Sequence, residues 1–170
     1  MDQPTTASLF IESSVHLVES SRQKIAHCLD QLEEEDLWWV PREGSNSIGI
    51  ILQHLAGNLR QWVVAGVGGA VDVRDRPSEF RADDRVSIRE ARARFDDVLD
   101  EVVAVLAGVT ATRLAESRRI QGHEVGVLAA IYETTSHLRL HVGQILYLTR
   151  LRVGPAYVES WKPTTKEQGA

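Results

Sequence analysis

Apolar side chains recur along this chain at intervals of three and four, and no stretch alternates apolar and polar residues as a half-buried strand would. The first periodic run extends from about Ala7 to Leu32, where Phe10, Leu17, Ile25, Cys28, Leu29 and Leu32 fall mostly on one side of a helix. An acidic group, Glu33-Glu34-Glu35-Asp36, follows it. Then come Leu37-Trp38-Trp39-Val40-Pro41 and a Gly/Ser/Asn cluster that reads as a loop. A second helix is expected from Ser47 to about Val67, capped by Asn46 or Ser47 and stopped by Gly66, Gly68 and Gly69. Residues 68–86 read as a long connection. The third helix opens at Ser87, where Ser87-Ile88-Arg89-Glu90 has capping-box spacing, and ends near Gly108. After a second connection, Thr110 to Gly122, the last helix is expected from His123 to Arg152, ended by Gly154-Pro155. Four helices with long connections predict an all-α four-helix bundle. Its core lies at about residues 7–153, and the tail, 154–170, has no clear period.

Composition narrows the class. A chain of 170 residues, 43% hydrophobic and 25% charged, is expected to form one domain covering 1–170. At this size roughly 70% of the unfolded surface is buried, so folding needs no disulfide or metal. The single cysteine, Cys28, has no intramolecular partner and points to a reducing compartment. Its core-like neighbours make it a buried, inert thiol. The opening Met1-Asp2-Gln3-Pro4-Thr5 does not read as a signal peptide. The longest apolar run, Trp62 to Val71, is interrupted by glycine and falls far short of the ~20 residues that span a bilayer. A cytoplasmic location is the expectation. Net charge is −5, which argues against nucleic acid as a partner, since phosphate binding needs concentrated positive charge. The arginine-rich region Arg74–Arg94 is interleaved with Asp75, Glu79, Asp83, Asp84 and Glu90 and reads as a solvated surface of mixed ion pairs.

The histidines carry the candidate chemistry. His137 and His141 are four residues apart, one turn on one helix face, and two imidazoles at that spacing can chelate one metal ion. Chance supplies roughly 0.2 such pairs in a chain of this composition, so the pair alone is weak. They continue a face that carries Glu133, Gln144 and Leu148, with core-like Ile145 and Leu146 beside it. Polar groups turned into a bundle are costly unless they are hydrogen-bonded or coordinated. Satisfied core histidines and metal ligands both meet that condition. His54 lies on the most apolar helix, in Ile48-Gly49-Ile50-Ile51-Leu52-Gln53-His54-Leu55.

Asn46-Ser47-Ile48-Gly49 ahead of His54, together with His137-x3-His141-Val142-Gly143-Gln144-Ile145, resembles the DinB-like (damage-inducible) superfamily. The string His54-Leu55-Ala56-Gly57-Asn58-Leu59-Arg60-Gln61-Trp62, followed by Arg74-Asp75-Arg76-Pro77-Ser78-Glu79-Phe80, resembles a functionally unassigned bacterial branch of it. The resemblance covers about residues 8–153. It implies that His54, His137 and His141 converge on a divalent metal, with Zn or Ni the ions expected. It also implies the chemistry of relatives that are thiol S-transferases using low-molecular-weight thiols such as mycothiol or bacillithiol, or metal-dependent hydrolases or isomerases. An imidazole site with an open position suits either, because a bound cation lowers the pKa of a coordinated thiol or water. The alternative is a non-enzymatic, dimeric, stress-related binding protein whose metal is structural or vestigial.

Further candidates surround these three. Asn58, one turn after His54, can orient it or a bound group, or form an interhelical hydrogen bond. Gln144 reads as a partner for His141 or as a polar residue at the bundle edge. Glu133, one turn before His137, is a candidate base or an exposed acid. Arg74 and Arg76 can receive a substrate carboxylate; an internal pair with Glu79 that fastens the loop competes for Arg74 or Arg76. Gly143 is expected to permit close helix approach. Trp38 and Trp39 are expected to plug the space between the first two helices, with substrate stacking as the alternative. His16 and His27 share a face but lie ~16 Å apart, too far to share a metal. Val63, Val64, Val98 and Val102 are the residues expected to supply a homodimer interface.

Overall fold

The computed structural model describes residues 3–81 and 85–160. Asp83 and Asp84 of the arginine-rich region, and the tail beyond Ser160, lie outside the described residues. The fold is all-α and mainly helical, with one small hairpin. Helix α1 (Thr6–Leu29) begins at Thr5, whose hydroxyl accepts from the Ser8 N–H at 3.2 Å. Helix α2 (Ile48–Leu59) begins at Ser47, which accepts from the Ile50 N–H at 3.2 Å, so Ser47 rather than Asn46 is its cap. Helix α3 (Ile88–Ala107) begins at Ser87, which accepts from the Glu90 N–H at 3.1 Å. The short α4 (Ala111–Leu114) leads into strands β1 (Ser117–Ile120) and β2 (His123–Gly126), and α5 (Val127–Val153) completes the chain's core. Gly154 ends α5 at φ +63°, a conformation that side-chain-bearing residues rarely adopt, and Pro155 forbids continuation.

The four long helices form the bundle. Helix α1 packs on α3 and α5, and α2 packs on the same two from the other side. Leu29, Leu55, Leu59, Leu99, Leu106, Ile131, Leu138 and Ile145 fill the space between them, each 0–2% exposed. Burying a side chain of this size contributes about 1.5–3 kcal/mol, which makes this apolar set the main source of stability.

Four differences from the sequence reading have physical causes. Residues 123–126 pair antiparallel with 117–120 instead of starting the last helix, so His123 faces Ile120 in a hairpin. Four-residue strands are too short to show an alternating pattern. Val63, Val98 and Val102 are 1%, 2% and 0% exposed and Val64 packs against the same core, so they hold the bundle together and cannot form a surface for a second copy. Gly143 is exposed, and a methyl group built on it would meet nothing within 4 Å, so no helix among the described residues approaches it. Leu148, assigned to the polar face of the last helix, is buried.

Trp38 lies against Gly49 of α2, where an added Cβ would sit 2.7 Å from its ring, its indole N–H donates to the Val86 carbonyl at 3.0 Å, and it lines a cavity with Ala91 and Phe95 of α3, so it packs between α2 and α3 instead of between the first two helices. Other expectations hold. Cys28 is buried, and desolvation pushes its thiol pKa up. The arginine-rich region forms ion pairs, among them Arg92 with Asp30 at 2.7 Å and Arg94 with Glu90 at 2.7 Å. No helix among the described residues is long and apolar enough to cross a membrane.

Candidate metal centre

Helix α2 supplies His54 from a stretch whose other faces are buried apolar residues, and α5 supplies His137 and His141 one turn apart. One ring nitrogen from each lies within 4.8 Å of the other two. His54 is buried; His137 and His141 are half-buried. The Nε2 atoms of His54 and His137 are 3.0 Å apart. Three nitrogens held tetrahedrally at about 2.0–2.1 Å from one cation sit about 3.3 Å from each other, so the rings need only small movements to share an ion.

Acceptors behind the rings aim their lone pairs. His54 Nδ1 is 3.0 Å from the Glu79 carboxylate, which can only accept, so Nδ1 carries the proton and Nε2 is left bare. Arg74 Nη2 lies farther from the same nitrogen, at 3.4 Å, and its main partner is Glu79. His141 Nδ1 donates to Gln144 Oε1 at 2.7 Å, which likewise leaves its Nε2 free. Between the two bare-nitrogen rings, His137 Nε2–H donates to His54 Nε2. A cation would take the place of that shared proton.

The chain favours the neutral form of the two α5 rings. Desolvation, followed by the neighbouring His141 and His54 and then Arg74, pushes the His137 pKa down to about 4. Burial also lowers that of His141, against a smaller rise from its bond to Gln144. Neutral imidazole is the form that ligates metal.

Glu79 sits on a single turn of helix, Arg76–Phe80, within the long connection. Arg74 grips it with Nε on Oε1 at 2.6 Å and Nη2 on Oε2 at 2.9 Å, while Nη1 donates to Gln61 Oε1 at 2.8 Å. The internal pair therefore occupies Arg74. What sequence reading missed is that the same carboxylate holds His54. One signal was available in Gly57, placed mid-helix at a cost of about 1 kcal/mol. A Cβ there would lie 2.0 Å from Glu79 Oε1, so only glycine lets the loop carboxylate reach α2.

A cleft of about 400 Å3 opens onto His54 and His137. Its walls include Asn58, Trp62, Arg76, Gln121 and Glu133. Asn58 makes no hydrogen bond to His54; its Oδ1 is buried without any partner among the described residues. Arg76 is exposed, with its guanidinium 5.2 Å from the centre of the Phe80 ring, and Phe80 lies 5.2 Å from the His54 ring. Glu133 is exposed at the rim. Trp62 and Gln61 reach this region because the end of the second helix, Arg60–Val67, winds as a π-helix, a widening frequent at functional sites. Trp38 and Trp39, His16 and His27 take no part in lining this cleft.

The fold, a helical bundle, is similar to that of two solved DinB-like proteins. A DinB-like protein from Bacillus cereus ATCC 10987 is 18% identical with a TM-score of 0.67, covering 89% of this chain and 95% of that one. A DinB-like protein from Bacillus subtilis is 14% identical with a TM-score of 0.66, covering 89% and 99%. Residues 5–161 match the family described as "Protein of unknown function (DUF1572)", and the chain belongs to that family. No curated protein matches it.

Proposed function

We propose that the chain is a metal-dependent enzyme acting on a small molecule, with His54, His137 and His141 as the ligands of a divalent ion, Zn or Ni. One observation carries the reading: three imidazoles, two with their outer N–H groups already bonded to an acceptor, converge beside an open cleft. An ion there lowers the pKa of a coordinated thiol or water, which serves a thiol S-transferase or a hydrolase. A low-molecular-weight thiol is the second cofactor in the transferase form. The DinB-like fold supports the reading.

The remaining residues have separable tasks. Glu79, gripped by Arg74, and Gln144 orient His54 and His141. Asn58 offers its unpaired buried oxygen to a donor on the bound molecule, a pairing that offsets the cost of burying that oxygen. Arg76, not committed to a carboxylate among the described residues, receives an anionic group at the rim. Glu133 is placed to accept a proton there.

Metal analysis of protein purified without an affinity tag tests this first. Stoichiometric Zn or Ni, lost in His137→Ala with helicity retained, is the expected result. No bound metal, and no rise in melting temperature on adding Zn²⁺ or Ni²⁺, overturns it. Turnover is then read with monochlorobimane and a panel of thiols including mycothiol and bacillithiol, and with ester and amide substrates. Unfolding on metal removal, with no turnover in either panel, selects the non-enzymatic alternative with a structural ion.

A further inference from the structure

A different face of α2 borders a second cavity, of about 530 Å3, which no histidine lines. Gly49, Leu52, Gln53, Ala56 and Arg60 recur at intervals of three and four, so they form one stripe of that helix. Ala91, Phe95 and Val98 form the corresponding stripe of α3. Space remains between the stripes because Ala56 and Ala91 carry only a methyl group where larger side chains would meet. Trp38, Val86 and the turn that carries Glu79 complete the wall. The volume lies within the range of about 300–1,000 Å3 that small-molecule sites occupy.

Most of this wall is apolar, with Trp38, Leu52, Phe95 and Val98 offering aromatic and aliphatic surface. Two acceptors interrupt it. Gln53 Oε1 is buried and has no hydrogen-bond partner among the described residues. Leaving a buried acceptor unpaired costs free energy, and a donor on a bound molecule removes that cost. Asp97 is exposed at the rim and makes no ion pair among the described residues. The other charges at the wall are committed. Arg60 donates to Glu101 at 2.6 Å, Arg94 donates to Glu90 at 2.7 Å, and both oxygens of Glu79 are held by Arg74 and His54. The charge left over at the cavity is one carboxylate. An occupant that matches these features has an apolar ring system, a hydrogen-bond donor and a positive charge. An anion would face Asp97.

We propose that this cavity binds a small aromatic amine, its ring between Leu52 of α2 and Phe95 of α3, a donor on Gln53 Oε1 and its ammonium group beside Asp97. The cavity and the cleft at the histidines share no lining residue. The proposal therefore stands apart from the metal reading.

Titration of the full chain with three probes of one ring system tests it, followed by calorimetry and ligand-observed NMR. Tryptamine carries the positive charge, tryptophol is neutral, and indole-3-propionate is the anion. Tryptamine is expected to bind one-to-one, tryptophol about 2–5-fold more weakly for want of the exposed ion pair, and indole-3-propionate more weakly still. Asp97→Lys, at an exposed position, is expected to reverse the order of amine and acid. Gln53→Leu is expected to weaken tryptamine and tryptophol alike by about 5–150-fold with unchanged far-UV circular dichroism. His137→Ala is expected to leave tryptamine binding unchanged, which separates this cavity from capture of the amine by a bound ion. No binding of tryptamine at millimolar concentration overturns the proposal, as does equal binding of the three probes or loss of binding in His137→Ala. Should Gln53→Leu unfold, Asp97→Lys decides: an unchanged order of probes overturns it.

Discussion

Removing the Glu79 carboxylate exposes two different jobs. Its side chain is 8% exposed and that of Arg74 4%, so Glu79→Ala leaves a guanidinium buried without its counter-charge. Breaking a pair of this kind costs about 3–5 kcal/mol. The same change strips His54 Nδ1–H of its acceptor, and loss of such a partner lowers metal affinity by about 10–100-fold. Glu79→Gln does not rescue both contacts, because its amide offers an acceptor to only one of the two donors and turns its own N–H toward the other. The jobs separate in Arg74→Met/Glu79→Leu, which removes both charges in roughly the same volume. Urea unfolding followed by circular dichroism should show Glu79→Ala destabilised by about 3–5 kcal/mol and the double variant regaining most of that. Zn²⁺ titration by calorimetry should show both still about 10–100-fold weaker than wild type. A double variant that binds Zn²⁺ as tightly as wild type would refute the orienting role and leave Glu79 only a loop fastener. An unchanged unfolding midpoint in Glu79→Ala would refute the energetics of the buried pair.

Three further outcomes follow from the same geometry. His137 has its pKa lowered from 6.5 to about 4, so below pH 6.5 the unfolded chain takes up a proton that the folded metal-free chain refuses. Its stabilising contribution is full above pH 6.5 and falls away down to about pH 4, by about 1–2 kcal/mol after allowing for solvent screening of a half-buried ring. The pH dependence of unfolding should flatten by that amount in His137→Leu, and an unchanged profile contradicts the assignment. Gly49→Ala places a methyl 2.7 Å from the Trp38 ring and should cost about 1–3 kcal/mol with a shift in tryptophan emission; no change in either means that the ring moves freely. Asn58→Leu removes a buried acceptor that has no partner, so thermal unfolding should be unchanged or slightly higher while turnover of the cognate substrate falls; a loss of more than about 1 kcal/mol in stability shows that the oxygen is satisfied in the folded chain.

The amino-acid order by itself determined the helical bundle, because the intervals of three and four, the serine caps at Ser47 and Ser87 and the Gly154 stop are local signals. It also brought His54, His137 and His141 forward as one group, through the four-residue spacing of one pair and the resemblance of their surroundings. Tertiary structure decided what local pattern cannot encode. The hairpin at 117–126 consists of strands too short to carry a period and is held by pairing across its turn. Glu79 comes from a loop 25 residues beyond His54, with no spacing rule to link them, and reaches α2 only because Gly57 has no side chain. Valines at 63, 98 and 102 look like any surface apolar stripe until the bundle closes over them, while the equally apolar outer face of α5 stays open. Periodicity shows that a helix has an apolar side; which neighbour covers that side is a property of packing, and for the outer face of α5 no helix among the described residues does so.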